Sequence, residues 1–230
     1  MTSGPFTEVH CRHIARLRSL PAVVDDHGLR LGDQYVMFRA EADLMRRHVR
    51  HLVAGTRRPD VLEIGLGLGV FAEQLLDVRV GSYTAIEPHD EVARLARARV
   101  LDAFGARARV IGEPWQLATL PTRAYDAIMY DTWPPDGYAD ADFAWFVEHV
   151  AVACLRPGGR FSFFHSGDAI GSLRRRVLDT HFTSWAAHPY SIPVAGLPAM
   201  WTKPTNRFLV PVATLGDERH VGAGPSADIR

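Results

Sequence analysis

A charged side chain interrupts an apolar run at "IMYDTWPPDG", where Asp131 and Trp133 follow residues with the composition of a buried strand and precede two prolines. A carboxylate fixed at a strand end can accept N–H bonds from a cation or take up a proton; the same aspartate can instead cap the turn ahead of Pro134-Pro135. A second such stretch is "VLEIGLGLGV", with Gly65, Gly67 and Gly69 at alternate positions. Glycines where a strand turns into a helix let the backbone bend tightly and let a ligand approach unhindered by a Cβ. About twenty residues further on, Glu87 ends the apolar run "SYTAIEP", where a carboxylate can accept both hydroxyls of a ribose. Together the glycines and Glu87 point to an adenosine-containing cofactor, the alternative being a tight turn with no ligand. Val70 stands where a dinucleotide fingerprint needs glycine or alanine, which speaks against a pyrophosphate.

The elements that must position these groups follow from periodicity. After residue 58, short apolar runs alternate with helix-like stretches, the pattern of a wound, mostly parallel sheet in an α/β fold. Strands are expected near "DVLEIG", "SYTAIEP", "ARVIG", "YDAIMYD" and "GRFSFFH", with helices near Val70–Val78, Asp90–Phe104, Ala141–Leu155 and Asp168–His181. Pro157-Gly158-Gly159 is a turn signal closing the third helix. "TSWAAHPYSI" and "NRFLVPV" suggest a final antiparallel edge hairpin. Upstream, Thr7–Leu20 and Phe38–Ala54 have the spacing of amphipathic helices that could lie across the ligand-binding edge. The expected division is a helical cap over residues 1–58 that contributes to the acceptor site, a core over 59–212 and a polar, frayed tail over 213–230, all within one domain.

Bulk properties narrow the partners. The 230 residues suffice for a core without disulfides or metals, and no apolar run is long enough for a membrane span. Twenty-six basic residues balance twenty-six acidic ones, so the footprint of a polyanion binder is missing and nucleic acid is not expected. The start of the chain has no secretory leader pattern, and Cys11 and Cys154 are far apart, which suits a reducing cytoplasm. "HCRH" at His10–His13 lacks the partners of a metal site, so no metal is expected.

The run Glu63-x-Gly65-x-Gly67-x-Gly69 followed by Glu87 resembles class I S-adenosylmethionine-dependent methyltransferases. Three further stretches resemble guanidinoacetate N-methyltransferase: "YDTWP" (Tyr130 to Pro134), "VMFRAEADLM" (Val36 to Met45) and "FAWFVEHVAVACLRPGG" (Phe143 to Gly159). The resemblance, from about residue 25 to 180, implies a Rossmann-like seven-stranded sheet with an antiparallel last strand and an N-terminal segment over the active site. It implies S-adenosylmethionine as cofactor, S-adenosylhomocysteine as product, and a small guanidino compound as acceptor. For the cofactor it points to the turn Gly65, Leu66, Gly67, Leu68 and Gly69, to Glu63 ahead of it, to Glu87 with Pro88 and His89, to Trp115 and Gln116 near adenine, and to Met37, Met45 and Asp131. For the acceptor it implies Glu41, Asp131 and Trp133, with Ser166 and Gly167 near the acceptor's carboxylate and Asp131 and Glu41 as the catalytic pair.

Taken alone, several of these residues have plainer roles: Glu41 on a solvated helix face, Met37, Met45 and Trp115 as core, and Asp168 as a helix N-cap. Asp168 departs from the family pattern, and either it or Glu113 could receive an α-ammonium group. That possibility tilts the expected acceptor toward free L-arginine over guanidinoacetate. Methylation of another small amine, aminopropyl transfer on the same fold, and a non-catalytic cofactor-binding module are the competing readings. Either a monomer or a homodimer is compatible with the sequence.

Overall fold

The computed structural model describes residues 6–217. Helix α1 (Glu8–Ser19) is followed by three short strands, β1 (Ala22–Val24), β2 (Gly28–Leu31) and β3 (Gln34–Phe38), and by helix α2 (Ala42–Leu52). The main sheet starts with β4 (Asp60–Ile64), then α3 (Val70–Gln74), β5 (Ser82–Ile86), α4 (Asp90–Arg99), β6 (Ala108–Ile111) and β7 (Tyr125–Tyr130). It continues with α5 (Ala139–Phe146), α6 (Val152–Cys154), β8 (Leu155–Phe163) and β9 (His165–Ser166). Helix α7 (Ser172–His181) and the hairpin β10 (Ser184–Ser191) and β11 (Arg207–Thr214) complete it.

The strand order is β10-β11-β8-β7-β4-β5-β6, with the two-residue β9 paired to β11 as an eighth strand. Strand β4 is parallel to both β5 and β7, while β11 runs antiparallel to β8 and β10. The chain therefore leaves β4 on one side and returns on the other, and the carboxyl ends of β4, β5 and β7 flank the crevice where open α/β sheets bind ligands.

Alternation along the strands builds both layers. Leu62 and Ile64 of β4 and Ile128 and Tyr130 of β7 pack with Phe143 and Phe146 of α5 and Leu178 of α7. Their neighbours Val61, Ala127 and Met129 face the other way, against Met45, Val49 and Leu52 of α2 and Phe71 and Ala72 of α3. A strand covered on both faces has no polar side, which is why these strands read as continuous apolar runs.

Three expectations need correction. The N-terminal cap is not all helical: β1, β2 and β3 form an antiparallel sheet between its two helices. Its turns are held by Asp25, whose Oδ1 accepts the N–H groups of His27 and Gly28, and by Gly32 at a φ of 58°. The third large helix ends at Cys154 after a π-helical turn at Val147–Ala151, and Pro157-Gly158-Gly159 falls within β8, where pairing with β7 shifts register. The core runs past residue 212, because β11 continues to Thr214 and Leu215 N–H bonds to the Gly159 carbonyl at 2.9 Å. The rest of the expected tail, from residue 218, lies outside the described residues. Among the described residues no helix is long and apolar enough to cross a membrane.

Candidate active site

The strand ends interlock before any side chain is considered. Asp131 N–H donates to the Ile64 carbonyl at 2.8 Å, Gly65 N–H to Ile86 at 3.0 Å, and Phe164 N–H to Tyr130 at 3.0 Å. Asp131 thus continues β7 as a rigid extension of the ladder. Gly65 lies so close that a Cβ there would fall 1.7 Å from the Asp131 carbonyl oxygen, and its φ of 87° also demands glycine. At Gly67 a Cβ would meet the Met37 methyl at 2.2 Å.

A cavity of about 410 Å³ opens over these strand ends. Of the residues expected at the site, Met37, Gly65, Gly67, Glu87, Pro88, Trp115, Gln116, Asp131 and Trp133 line it. Trp115 lines the cavity and also packs edge-on to Tyr130 and Phe146. Glu87 uses one oxygen for Gly67 N–H at 3.0 Å and the other for His89 N–H at 2.9 Å, leaving acceptor capacity toward the cavity. Burial raises its pKa, and those two N–H bonds pull it back.

Burial pushes Asp131 up to about 7; Lys203 opposes the rise and Glu41 adds to it. No hydrogen bond contributes to that balance, so the carboxylate is free to take a ligand's N–H groups. Glu41 sits in the short turn Arg39–Glu41 ahead of α2 and is 2% exposed. Its Oε2 accepts Phe38 N–H at 2.9 Å, and its Oε1 lies 2.5 Å from the Lys203 ammonium. Lys203 lines the cavity and Glu41 does not, so the lysine stands between this carboxylate and the space beside Asp131.

Other expected residues lie elsewhere. Glu63 accepts the Tyr83 hydroxyl in the core, where burial raises its pKa strongly, and it does not reach the cavity. Met45, Leu66 and Leu68 are core side chains, and Gly69 packs against Val100. His89 is buried against the Leu20 carbonyl. Ser166 lines an adjoining cavity of about 440 Å³ that shares Asp131, Thr132, Pro134 and Phe164 with the first. Gly167 N–H is taken by the Arg207 carbonyl at 2.7 Å. Asp168 pairs with Arg207 on the surface at 2.8 Å instead of capping α7, which starts only at Ser172. Glu113 is exposed. The two carboxylates expected to meet an α-ammonium group therefore do not face the cavity, and the lean toward arginine loses its footing.

Helix α1 lies across the ligand-binding edge as expected, but the contacts that anchor this lid were not foreseen. Thr7 N–H donates to His10 Nδ1, which leaves Nε2–H to donate to the buried Asp142 at 3.0 Å. His13 Nε2 meets the Trp133 carbonyl at 2.9 Å, and Arg18 donates to the carbonyls of Pro88 and Gly112. Helix α1 is thereby tied across the ends of β5, β6 and β7. Nothing local marks these histidines; their partners lie far along the chain. Among the described residues no cluster of three or more His, Cys, Asp or Glu could hold a metal.

A model of the guanidinoacetate N-methyltransferase family matches residues 18–179. The chain belongs to this family. The match contains Glu41, the glycine turn, Glu87, Asp131 and Ser166, and stops short of Lys203. A stretch of 139 residues is 33% identical to protein arginine N-methyltransferase 2 of Kluyveromyces lactis, covering 56% of this chain and 32% of that protein, so the chain spans about a third of its length. The N-methyltransferase NodS of Bradyrhizobium japonicum, solved with S-adenosylhomocysteine, superposes with a TM-score of 0.60 at 16% identity, over 92% of this chain and all of NodS. A Leishmania major S-adenosylmethionine-dependent methyltransferase gives 0.57 at 16% identity, over 90% of this chain and 82% of that one. These structures share the Rossmann-like fold. Within the matched region, the Cβ-free floor at Gly65 and Gly67 beside the Glu87 carboxylate has the space and the acceptor that an adenosyl group needs.

Proposed function

We propose that the protein methylates a guanidino nitrogen of a small molecule, L-arginine or guanidinoacetate. The observation that carries this reading is the Asp131 carboxylate, which is held on a rigid strand end, bonded to no protein donor and under the influence of a second buried carboxylate, Glu41. Similarity to a relative named for N-methylation of protein arginine supports the same acceptor chemistry.

When bound, S-adenosylmethionine supplies an electrophilic methyl group on its sulfonium. Gly65 and Gly67 would floor its site, Glu87 would accept the ribose hydroxyls, Pro88, Trp115 and Gln116 would border the adenine, and Met37 would close one wall. A guanidinium stays protonated at neutral pH with its lone pairs delocalised, so it needs orientation and charge redistribution to become a nucleophile. Asp131 accepts paired N–H bonds from the planar fork, concentrates electron density on the held nitrogen and takes the proton that nitrogen must shed. Glu41 holds the opposite edge. Trp133 and the α1 lid limit water, and positioning supplies much of the rate. In the adjoining cavity, the Ser166 hydroxyl is buried without a partner and Arg174 lines the wall, so both are suited to an acceptor's carboxylate.

The test is incubation with S-adenosylmethionine and a panel of guanidino compounds and matched amines, read by product mass spectrometry. A methyl group gained on the guanidino members supports the proposal, and methylation confined to amines contradicts it. Glu87→Gln is expected to weaken S-adenosylmethionine binding roughly 10- to 100-fold by calorimetry, because the new amide NH2 opposes the Gly67 or His89 N–H and one charged acceptor is lost. An unchanged dissociation constant would place the ribose elsewhere.

A further inference from the structure

Lys203 is the only lysine among the 26 basic Lys and Arg residues of the chain. It sits on the loop between β10 and β11, lines the cavity with Thr202 and Pro204, and is 21% exposed at its side chain. Its ammonium has two seats. One is Glu41 Oε1 at 2.5 Å, an oxygen with no hydrogen bond of its own; the other is the face of Phe164, whose centroid is 4.1 Å away. The family match ends at residue 179, so this cation is not part of what the family model matches.

We propose that Lys203 is a tethered competitor that any cationic acceptor must displace, so that a guanidinium gains enough to bind and a simple ammonium does not. The inference rests on the guanidino reading of the same site. In the absence of acceptor, Lys203 fills the cation position beside Glu41. A free alkylammonium would have to replace it one for one, point charge against point charge, and the tethered competitor acts at an effective concentration of about millimolar or more. A small amine therefore gains nothing by the exchange. A guanidinium differs in shape: its five N–H donors lie in one plane and can engage Glu41 and Asp131 together. Each additional charge-assisted bond is worth roughly tenfold or more in affinity, enough to displace the lysine. The displaced ammonium keeps the Phe164 ring as a partner, so the exchange does not strand a bare charge in the cavity.

Two variants separate this role from a structural one. Lys203→Met removes the competitor, and Lys203→Arg tethers a guanidinium that can itself bridge both carboxylates. The measurement is calorimetry at about pH 8.5, above the pKa of about 7 to which burial raises Asp131, with two matched pairs: L-arginine against L-lysine, and guanidinoacetate against β-alanine. Wild type is expected to bind the guanidino member of at least one pair about tenfold or more tighter than its amine. Lys203→Met is expected to tighten both members about tenfold or more and by a similar factor, which brings the amine into the measurable range, while Lys203→Arg weakens the guanidino member about tenfold. A structural lysine would give the reverse order, with arginine rescuing and methionine impairing. If wild type binds the guanidino compounds and both variants shift in the same direction, or Lys203→Met tightens neither member, the lysine inference falls alone. If wild type binds neither guanidino compound, the functional reading falls and takes this inference with it. Lys203→Arg keeps a cation beside Glu41, so its result stands even if Lys203→Met does not fold.

Discussion

Replacing Asp131 by Asn is expected to lower kcat by about three orders of magnitude, the range for losing a positioned acid–base group. The amide keeps the size of the side chain, yet it presents N–H groups to a cation and cannot accept the departing proton. Binding of S-adenosylhomocysteine, which carries no sulfonium charge, stays close to wild type. Stability does not fall either: the carboxylate is desolvated and unpaired by protein donors, so a neutral isostere removes a cost. Single-turnover rates, calorimetry with S-adenosylhomocysteine and thermal melting read the three expectations separately. A kcat within tenfold of wild type would remove Asp131 from the chemistry.

The same residue sets a pH dependence with a defined sign. The ionised form is the active one, and burial raises its pKa to about 7, so kcat/KM falls roughly tenfold per pH unit below that value and levels off above it. A bound guanidinium favours the carboxylate, so the midpoint in kcat lies lower than the midpoint in kcat/KM. Midpoints near an ordinary aspartate value in both profiles would contradict this assignment.

Replacing Glu41 by Gln is expected to cost roughly 30- to 150-fold in kcat/KM, mostly through the acceptor KM, in line with about 2–3 kcal/mol for one partner of a buried charge pair. The Gln carbonyl oxygen still accepts Phe38 N–H, so the turn into α2 survives. What is lost is the anion that holds the far edge of the guanidinium and, without acceptor, the partner of Lys203. Initial-rate kinetics over acceptor concentration check this. A change below about threefold would make Glu41 merely the anchor of the Lys203 loop.

The sheet and its glycine turn were legible because their signals are local. Strands covered on both faces show as apolar runs, and Gly65 and Gly67 are dictated by positive φ and by contacts that leave no room for a Cβ. Asp131 and Glu87 were legible because each ends such a run. The β1–β3 sheet was lost because its strands are only three to five residues long and Phe38 was joined to the helix that follows, although "DDHG" and "LGDQ" mark two hairpin turns. Met45 and Glu63 were placed too near the ligand: a motif position fixes the backbone, but the strand's alternation sends Glu63 toward Tyr83. The roles of His10, Asp142 and Lys203 were not legible locally, since each is set by a partner distant in the chain.

The double-mutant cycle over Glu41→Gln and Asp131→Asn, read as the dissociation constant of the preferred guanidino acceptor in the presence of S-adenosylhomocysteine, asks whether one cation engages both acids. Two carboxylates on a single fork give a coupling of at least about 1.5 kcal/mol, the double variant losing far less than the product of the single losses. Losses that simply multiply would mean that the two carboxylates act on different partners, and the guanidinium clamp would not exist.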